Sequence, residues 1–226
     1  MTDWKPILSY AEIDELYEIE LRAENLKNAR LFADRKDMIS YFSPRLRNGT
    51  IAEIGVLFGD FSRVIVDEVQ PKIFDAYDLF RIENLRDLIQ KVPHFAYMEK
   101  FGEALNQSHL DFYRYRFRDE IESGVVRTIV GDGARNLRDS NTMYDMIYID
   151  ADHSYESVLR DAQSSIERLK PEGMLIFNDY TLFDHITGEK YGIVPVVNQL
   201  CVNEGWQVTG FALEGTMFAD IVIERG

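Results

Sequence analysis

Acidic residues stand at the ends of successive apolar runs: Glu53, Asp78, Asp132 and Asp150. A carboxylate in such a place accepts hydrogen bonds from hydroxyl and amino groups, so a row of them can grip a polar ligand rich in donors. A denser group follows the last of these runs. Asp150-Ala-Asp152-His153-Ser-Tyr155 lies a short distance in sequence before Asn178-Asp179. Oxygen donors in such a cluster suit a hard cation such as Mg²⁺. A positioned base could also take a proton from a hydroxyl, and His153 is a candidate base or substrate contact. A structural alternative stays open, in which Asp152 and Ser154 cap the next helix and Asn178-Asp179 forms a turn.

Between Glu53 and Ser62 the chain reads Glu-Ile-Gly-Val-Leu-Phe-Gly-Asp-Phe-Ser, with Gly55 and Gly59 in a turn from strand to helix. Glycines there let a ligand approach the backbone, and the helix start offers unpaired N–H groups. Leu57 stands where the dinucleotide fingerprint has its second glycine. Glu53 would repel a pyrophosphate but suits the ammonium end of a zwitterionic amino-acid ligand. Asp78 follows at roughly the 20-residue interval at which an acid meets ribose hydroxyls in α/β nucleoside sites. Asp132 is placed to accept a bond from an adenine amino group.

These residues need a scaffold that brings several strand ends to one edge. Apolar runs over 50–55, 72–79, 125–131, 144–150 and 174–177 read as strands. They are interleaved with helical patterns over 61–69, 154–170 and 192–204, which predicts a mostly parallel sheet covered on both faces. Runs at 206–213 and 218–224 are joined by a short turn and must pair antiparallel, because a parallel partner needs a long crossover. The expected fold is α/β and Rossmann-like, with a seven-stranded sheet ending in an antiparallel hairpin. Residues 10–32 and 35–46 read as helices of an N-terminal appendage over 1–49, and 82–123 as a helical insertion or lid on a single domain over 1–226. Within it, Tyr113-Arg-Tyr-Arg-Phe-Arg118 reads as an amphipathic helix with solvated arginines, or as a grip on an acidic group.

A net charge of −14 argues against a chain built to coat a phosphate backbone. Cys201 is the sole cysteine, which excludes an internal disulfide and a cysteine metal cluster and suits a reducing cytoplasm. No run approaches the roughly 18 apolar residues that span a bilayer. The expectation is a cytoplasmic protein with a small-molecule partner and without nucleic-acid or membrane partners. A homodimer or higher homo-oligomer is left open.

The blocks Glu53-x-Gly-x-x-x-Gly59, Asp78-Leu-Phe, Gly131-Asp132, Asp150-Ala-Asp-His-Ser-Tyr155 and Lys170-Pro-Glu-Gly173 leading to Phe177-Asn-Asp-Tyr180 resemble one family in order and spacing. That family is the class I S-adenosylmethionine-dependent methyltransferases, particularly the macrocin O-methyltransferase (TylF-type) and cephalosporin hydroxylase-like group. The resemblance covers about residues 50–180. It implies S-adenosylmethionine bound by Glu53, Gly55, Gly59, Asp78 and Asp132, with Asp150 at the same strand edge. It further implies Mg²⁺ held by Asp150, Asn178 and Asp179, with Asp152 as the base. Asn178 departs from the family pattern, where Asp is usual. The implied reaction is methylation of a hydroxyl on a sugar or another small molecule. Its rivals are a metal-independent N- or C-methyltransferase, a nicotinamide-dependent oxidoreductase, and a non-catalytic cofactor-binding subunit.

Overall fold

A strand buried on both faces reads as a near-continuous apolar run, and β2 (Thr50–Ile54), interrupted by Glu53, β5 (Tyr144–Ile149), interrupted by Asp145, and the end of β6 (Leu169–Phe177) follow this. The computed structural model describes residues 19–85, 98–215 and 217–226. With β1 (Arg30–Phe32), β3 (Ile73–Asp78), β4 (Val126–Val130), β7 (Trp206–Leu213) and β8 (Ala219–Arg225) they form one sheet, ordered β1-β7-β8-β6-β5-β2-β3-β4. All pairings are parallel except those of β8, which lies antiparallel between β6 and β7. The expected hairpin is present, and the fold is the Rossmann-like α/β architecture read from the sequence. The chain leaves β2 towards β3 and β4, then returns to place β5 on β2's other side, so the order reverses between β2 and β5. A crevice opens at the carboxyl ends of strands where such a reversal occurs.

The sheet has eight strands rather than the seven expected, because residues 30–32 join it. The helix expected over 10–32 lies partly outside the described residues, and its described part is a 3₁₀ turn at Ala23–Leu26 followed by β1. Tertiary contacts override the helical spacing here. Arg30 to Phe32 pair with Gly210 to Ala212 and cover the open side of β7. Phe32 packs on Phe42 with ring centroids 5.9 Å apart. Asn25 Nδ2 donates to the Cys201 carbonyl at 2.9 Å, and Asn198 Nδ2 donates to that of Ile19 at 2.7 Å.

Helix α1 (Arg35–Leu46) forms where expected, capped by Asp34, whose carboxylate accepts the Asp37 N–H at 2.8 Å. Its Met38, Ile39, Phe42 and Leu46 are buried in the larger core cluster, so α1 closes one face of the sheet instead of standing off as an appendage. Helix α2 (Asp60–Val69) packs beside it. The insertion expected over 82–123 supplies α3 (Met98–Gln107), α4 (His109–Arg116) and α5 (Arg118–Glu122); its residues 86–97 fall outside the described residues. On α4 and just after it, Tyr113 and Phe117 stack at 4.6 Å and are fully buried. Its arginines are paired rather than free: Arg116 with Asp60 and the Phe58 carbonyl, Arg114 with Thr128. The segment 113–118 is therefore structural, but its helix ends at Arg116 and Arg116 is paired rather than solvated. On the opposite face lie α6 (Gly133–Asp139), which sequence periodicity did not reveal, α7 (Tyr155–Arg168) and α8 (Ile193–Glu204).

Candidate active site

A cleft of about 870 Å³ opens at the strand reversal. Gly55 sits at its floor with φ +83°, and a Cβ there would overlap the Asp150 carbonyl. The close approach of β2 to β5 therefore requires glycine at this position. Gly59 also has a positive φ, but its Cβ would meet the Tyr113 and Phe117 rings at 2.7 Å and it does not line the cleft. Aromatic packing explains this glycine. Glu53 is likewise turned away from the cleft, buried beneath α2 and hydrogen-bonded to the Ser62 hydroxyl. Burial pushes its carboxyl up to about 8, against the opposing pull of Ser62 and Arg35.

Asp78 lies in the cleft wall at the end of β3. Its two oxygens accept N–H groups from Val56 at 2.9 Å and Phe80 at 2.6 Å, which locks the glycine turn against β3. Each carboxylate oxygen keeps a further lone pair for a ligand hydroxyl. Asp132 caps α6 by accepting the Arg135 N–H at 2.8 Å, and its other oxygen stands 3.4 Å from Arg160. His109, not singled out from sequence, also lines the cleft. Its Nε2–H donates to the Leu57 carbonyl at 2.5 Å, steadying a residue with φ +44°, while Nδ1 is buried without a partner.

At the other end, His153 leaves β5 and stacks on Tyr191 at 4.5 Å. Its Nε2 is 3.8 Å from Asp150 Oδ1 and 3.8 Å from Asp179 Oδ2, shielded from solvent and without a hydrogen-bond partner. Burial lowers the pKa of this imidazole, partly offset by its hydrogen bond to Asn178. Burial and then Asp179 raise the Asp150 carboxyl well above the ordinary range. Asp179 is pushed up to about 7 by burial, then by Asp220 and Glu214. Beneath them Asp220, fully buried, accepts hydrogen bonds from the Tyr148 hydroxyl at 2.6 Å and the Asn178 amide at 3.0 Å. The balancing cation is Arg35 from the first turn of α1, paired with Glu214 at 2.8 Å and lying over the Phe61 ring. Burial opposes its charge, but Tyr148, Asp220, Glu214 and Asp150 raise its pKa on balance. A helix expected to be peripheral supplies this residue, and nothing in its local sequence marks it.

The metal expectation finds no support. Asn178 donates its Nδ2–H to Asp220 and lies outside the cleft lining, whereas Asp150 and Asp179 are part of it. Among the described residues no group of three or more His, Cys, Asp or Glu side chains is placed to hold a metal ion. Asp152 is also poorly suited as a base. It is exposed, its carboxylate accepts the Ser154 N–H at 2.7 Å, and against burial, which raises its pKa, Ser154, His153 and Ser157 together hold it low. Tyr155, whose spacing with Val158 and Leu159 reads as a core position, is exposed and donates to Gln199 at 3.3 Å. Tyr180 and His185 fall outside the cleft lining.

A sheet of this order, a glycine turn after β2 and acids at successive strand ends define a Rossmann-like methyltransferase fold. The chain belongs to the methyltransferase domain family, whose model matches residues 52–180, more than half its length. Similar solved structures include an O-methyltransferase family protein from Burkholderia thailandensis, with a TM-score of 0.56 and 13% identity over 85% of this chain and 55% of that one. Precorrin-6y C5,15-methyltransferase from Geobacter metallireducens gives 0.56 at 14% identity over 84% and 87%. A methyltransferase from Streptococcus mutans in complex with SAH gives 0.56 at 12% over 84% and 96%. At these identities the likeness shows the fold. Among curated proteins, anaphase-promoting complex subunit CDC23 of Saccharomyces cerevisiae is 23% identical over 141 residues, 62% of this chain. The aligned stretch spans 20% of that protein, so the chain corresponds to about a fifth of its length. No helix among the described residues is long and apolar enough to cross a membrane.

Proposed function

We propose that the chain is an S-adenosylmethionine-dependent O-methyltransferase, of the macrocin-like kind, that acts on a hydroxyl of a small molecule such as a sugar. The cofactor fits the cleft: Asp78 offers acceptors for ribose hydroxyls, and Gly55 leaves the floor open. The acidic walls suit a ligand carrying sulfonium and ammonium charges. Bound there, S-adenosylmethionine supplies an electrophilic methyl group on sulfur.

The observation that carries the reaction is the unpartnered Nε2 of His153 between Asp150 and Asp179. An imidazole with a lowered pKa is neutral at pH 7 and can accept a proton. With the cofactor bound, Nε2 of His153 would take the proton of the acceptor hydroxyl as that oxygen receives the methyl group. Asp179, ionised as pH rises through about 7, stabilises the imidazolium that results. Asp152 stays a helix-entry residue, and no step is assigned to a metal.

Titration with S-adenosylhomocysteine, followed by methyl-transfer assays on a panel of sugars and vicinal diols, tests this reading. Saturable binding is expected, and turnover with and without chelator reports whether a metal takes part. His153→Gln should keep that binding and lose about 10²–10⁴-fold in turnover, the usual worth of a general base. Wild-type turnover that survives His153→Gln would remove the assigned base. Absence of S-adenosylhomocysteine binding by folded protein would remove the cofactor.

A further inference from the structure

Two turns into α7, on the wall of the cleft, is a carboxyl that the fold itself does not use. Asp161 is 3% exposed, yet it lines the cleft beside Asp132, Gly133, Ser157 and Arg160. Among the described residues its carboxyl forms no hydrogen bond, and the guanidinium nearest in sequence, Arg160, is turned to Asp132. A largely buried carboxyl that opens on the cleft and has no partner in the fold is left to meet a ligand there. The charged groups around it are Asp132 and Asp152, which disfavour its ionisation, and Arg160 and Arg138, which favour it. Burial is the larger influence and pushes it up to about 6. A carboxylate retained only to anchor α6 would instead be hydrogen-bonded and shifted down.

Its position identifies the ligand group. Asp78 marks the ribose at the end of β3, and His153 with Asp179 marks the transferred methyl at β5 and β6. The Gly131–Gly133 turn at the end of β4 lies on the far side of the ribose from that reaction end. The heterocycle of a nucleoside cofactor belongs there. Asp132, the acid expected from sequence to meet the adenine amino group, has one oxygen on a backbone N–H and the other near Arg160.

We propose that Asp161, not Asp132, receives the exocyclic amino group of the cofactor's adenine and selects adenine over its deaminated form. The proposal rests on S-adenosylmethionine as the cofactor. Calorimetric titration with S-adenosylhomocysteine and with S-inosylhomocysteine, whose carbonyl oxygen replaces the amino group, tests it on wild type, Asp161→Asn and Asp161→Leu. Wild type should favour the adenosyl compound at least tenfold. Asp161→Leu should bind it about tenfold to hundredfold more weakly, the range for one hydrogen bond to a charged group, and lose the preference. Its unliganded melting temperature should be unchanged or higher. If Asp161→Leu does not fold, Asp161→Asn carries the same comparison with a smaller loss. Retained preference in both variants overturns the proposal, as does an equal loss for both ligands together with a lowered melting temperature. If wild type binds neither compound, the cofactor reading fails instead.

Discussion

The two ends of the cleft hold the same kind of residue in opposite states. At the β3 end Asp78 has both oxygens on backbone N–H groups, and at β4 Asp132 caps a helix. These acids stabilise the fold and are already set in place before a ligand arrives. At the β5 and β6 end, Asp150 and Asp179 are crowded with Asp220, and His153 Nε2 has no partner. That arrangement costs stability and leaves groups able to exchange protons near neutral pH. Binding is pre-organised at one end, and reactivity is stored at the other.

The largest effect should come from breaking the ordered end. Asp78→Ala removes the ribose acceptor and frees the Val56 and Phe80 N–H groups, so S-adenosylhomocysteine affinity should fall more than about 100-fold. Calorimetry reads this directly; near-normal affinity would mean the ribose lies elsewhere. Next comes the acid limb of the reactive end. Turnover should decline as pH falls through about 7, because protonating Asp179 removes a charge that supports the imidazolium. A rate profile for Asp179→Asn should be lower throughout and lack that limb, and an unchanged limb would assign it to another group.

The buried charge cluster gives a stability contrast. Glu53, Asp179 and Asp220 have pKa values raised to about 8, about 7 and about 6. Folding therefore holds their protons more tightly than the unfolded chain does, and their contribution is lost as pH rises through about 6 to 8. Arg35→Met removes the cation among these acids and should cost about 3–5 kcal/mol at pH 8, with a smaller loss at pH 5. Thermal melts at the two pH values check this, and equal losses would show that Arg35 acts by packing alone. The smallest effect belongs to Asp152→Asn. Loss of charge at the entry to α7 should cost less than about 1 kcal/mol and leave turnover within a few-fold. A collapse of turnover with intact binding would restore Asp152 as the base in place of His153.

Much of the fold was legible because its central strands are largely apolar runs and several of its helices are amphipathic. Thr50–Ile54, Ile73–Asp78 and Tyr144–Ile149 lie within a residue or two of the runs that mark them. β1 was hidden because a three-residue edge strand has no period of its own, and Gly210 with Phe42 decides its state. The short α6 carried too few turns to show periodicity.

For the site, sequence alone determined which strand ends carry acids and that those ends share one edge, since parallel strands with helical crossovers allow no other arrangement. It also determined that Gly55, Asp78, Asp132 and the Asp150–His153 block belong together. Only the tertiary structure decided what each side chain faces. Glu53 and Gly59 serve the packing beneath the turn, Asn178 bonds to Asp220, and Asp152 holds a backbone N–H. Arg35, His109 and Asp161 reach the site or its underside from helices whose local sequence does not mark them. A motif fixes where the backbone goes; burial, charge balance and hydrogen-bond partners are set by residues distant in sequence, and they decide which carboxylate binds and which side chain takes a proton.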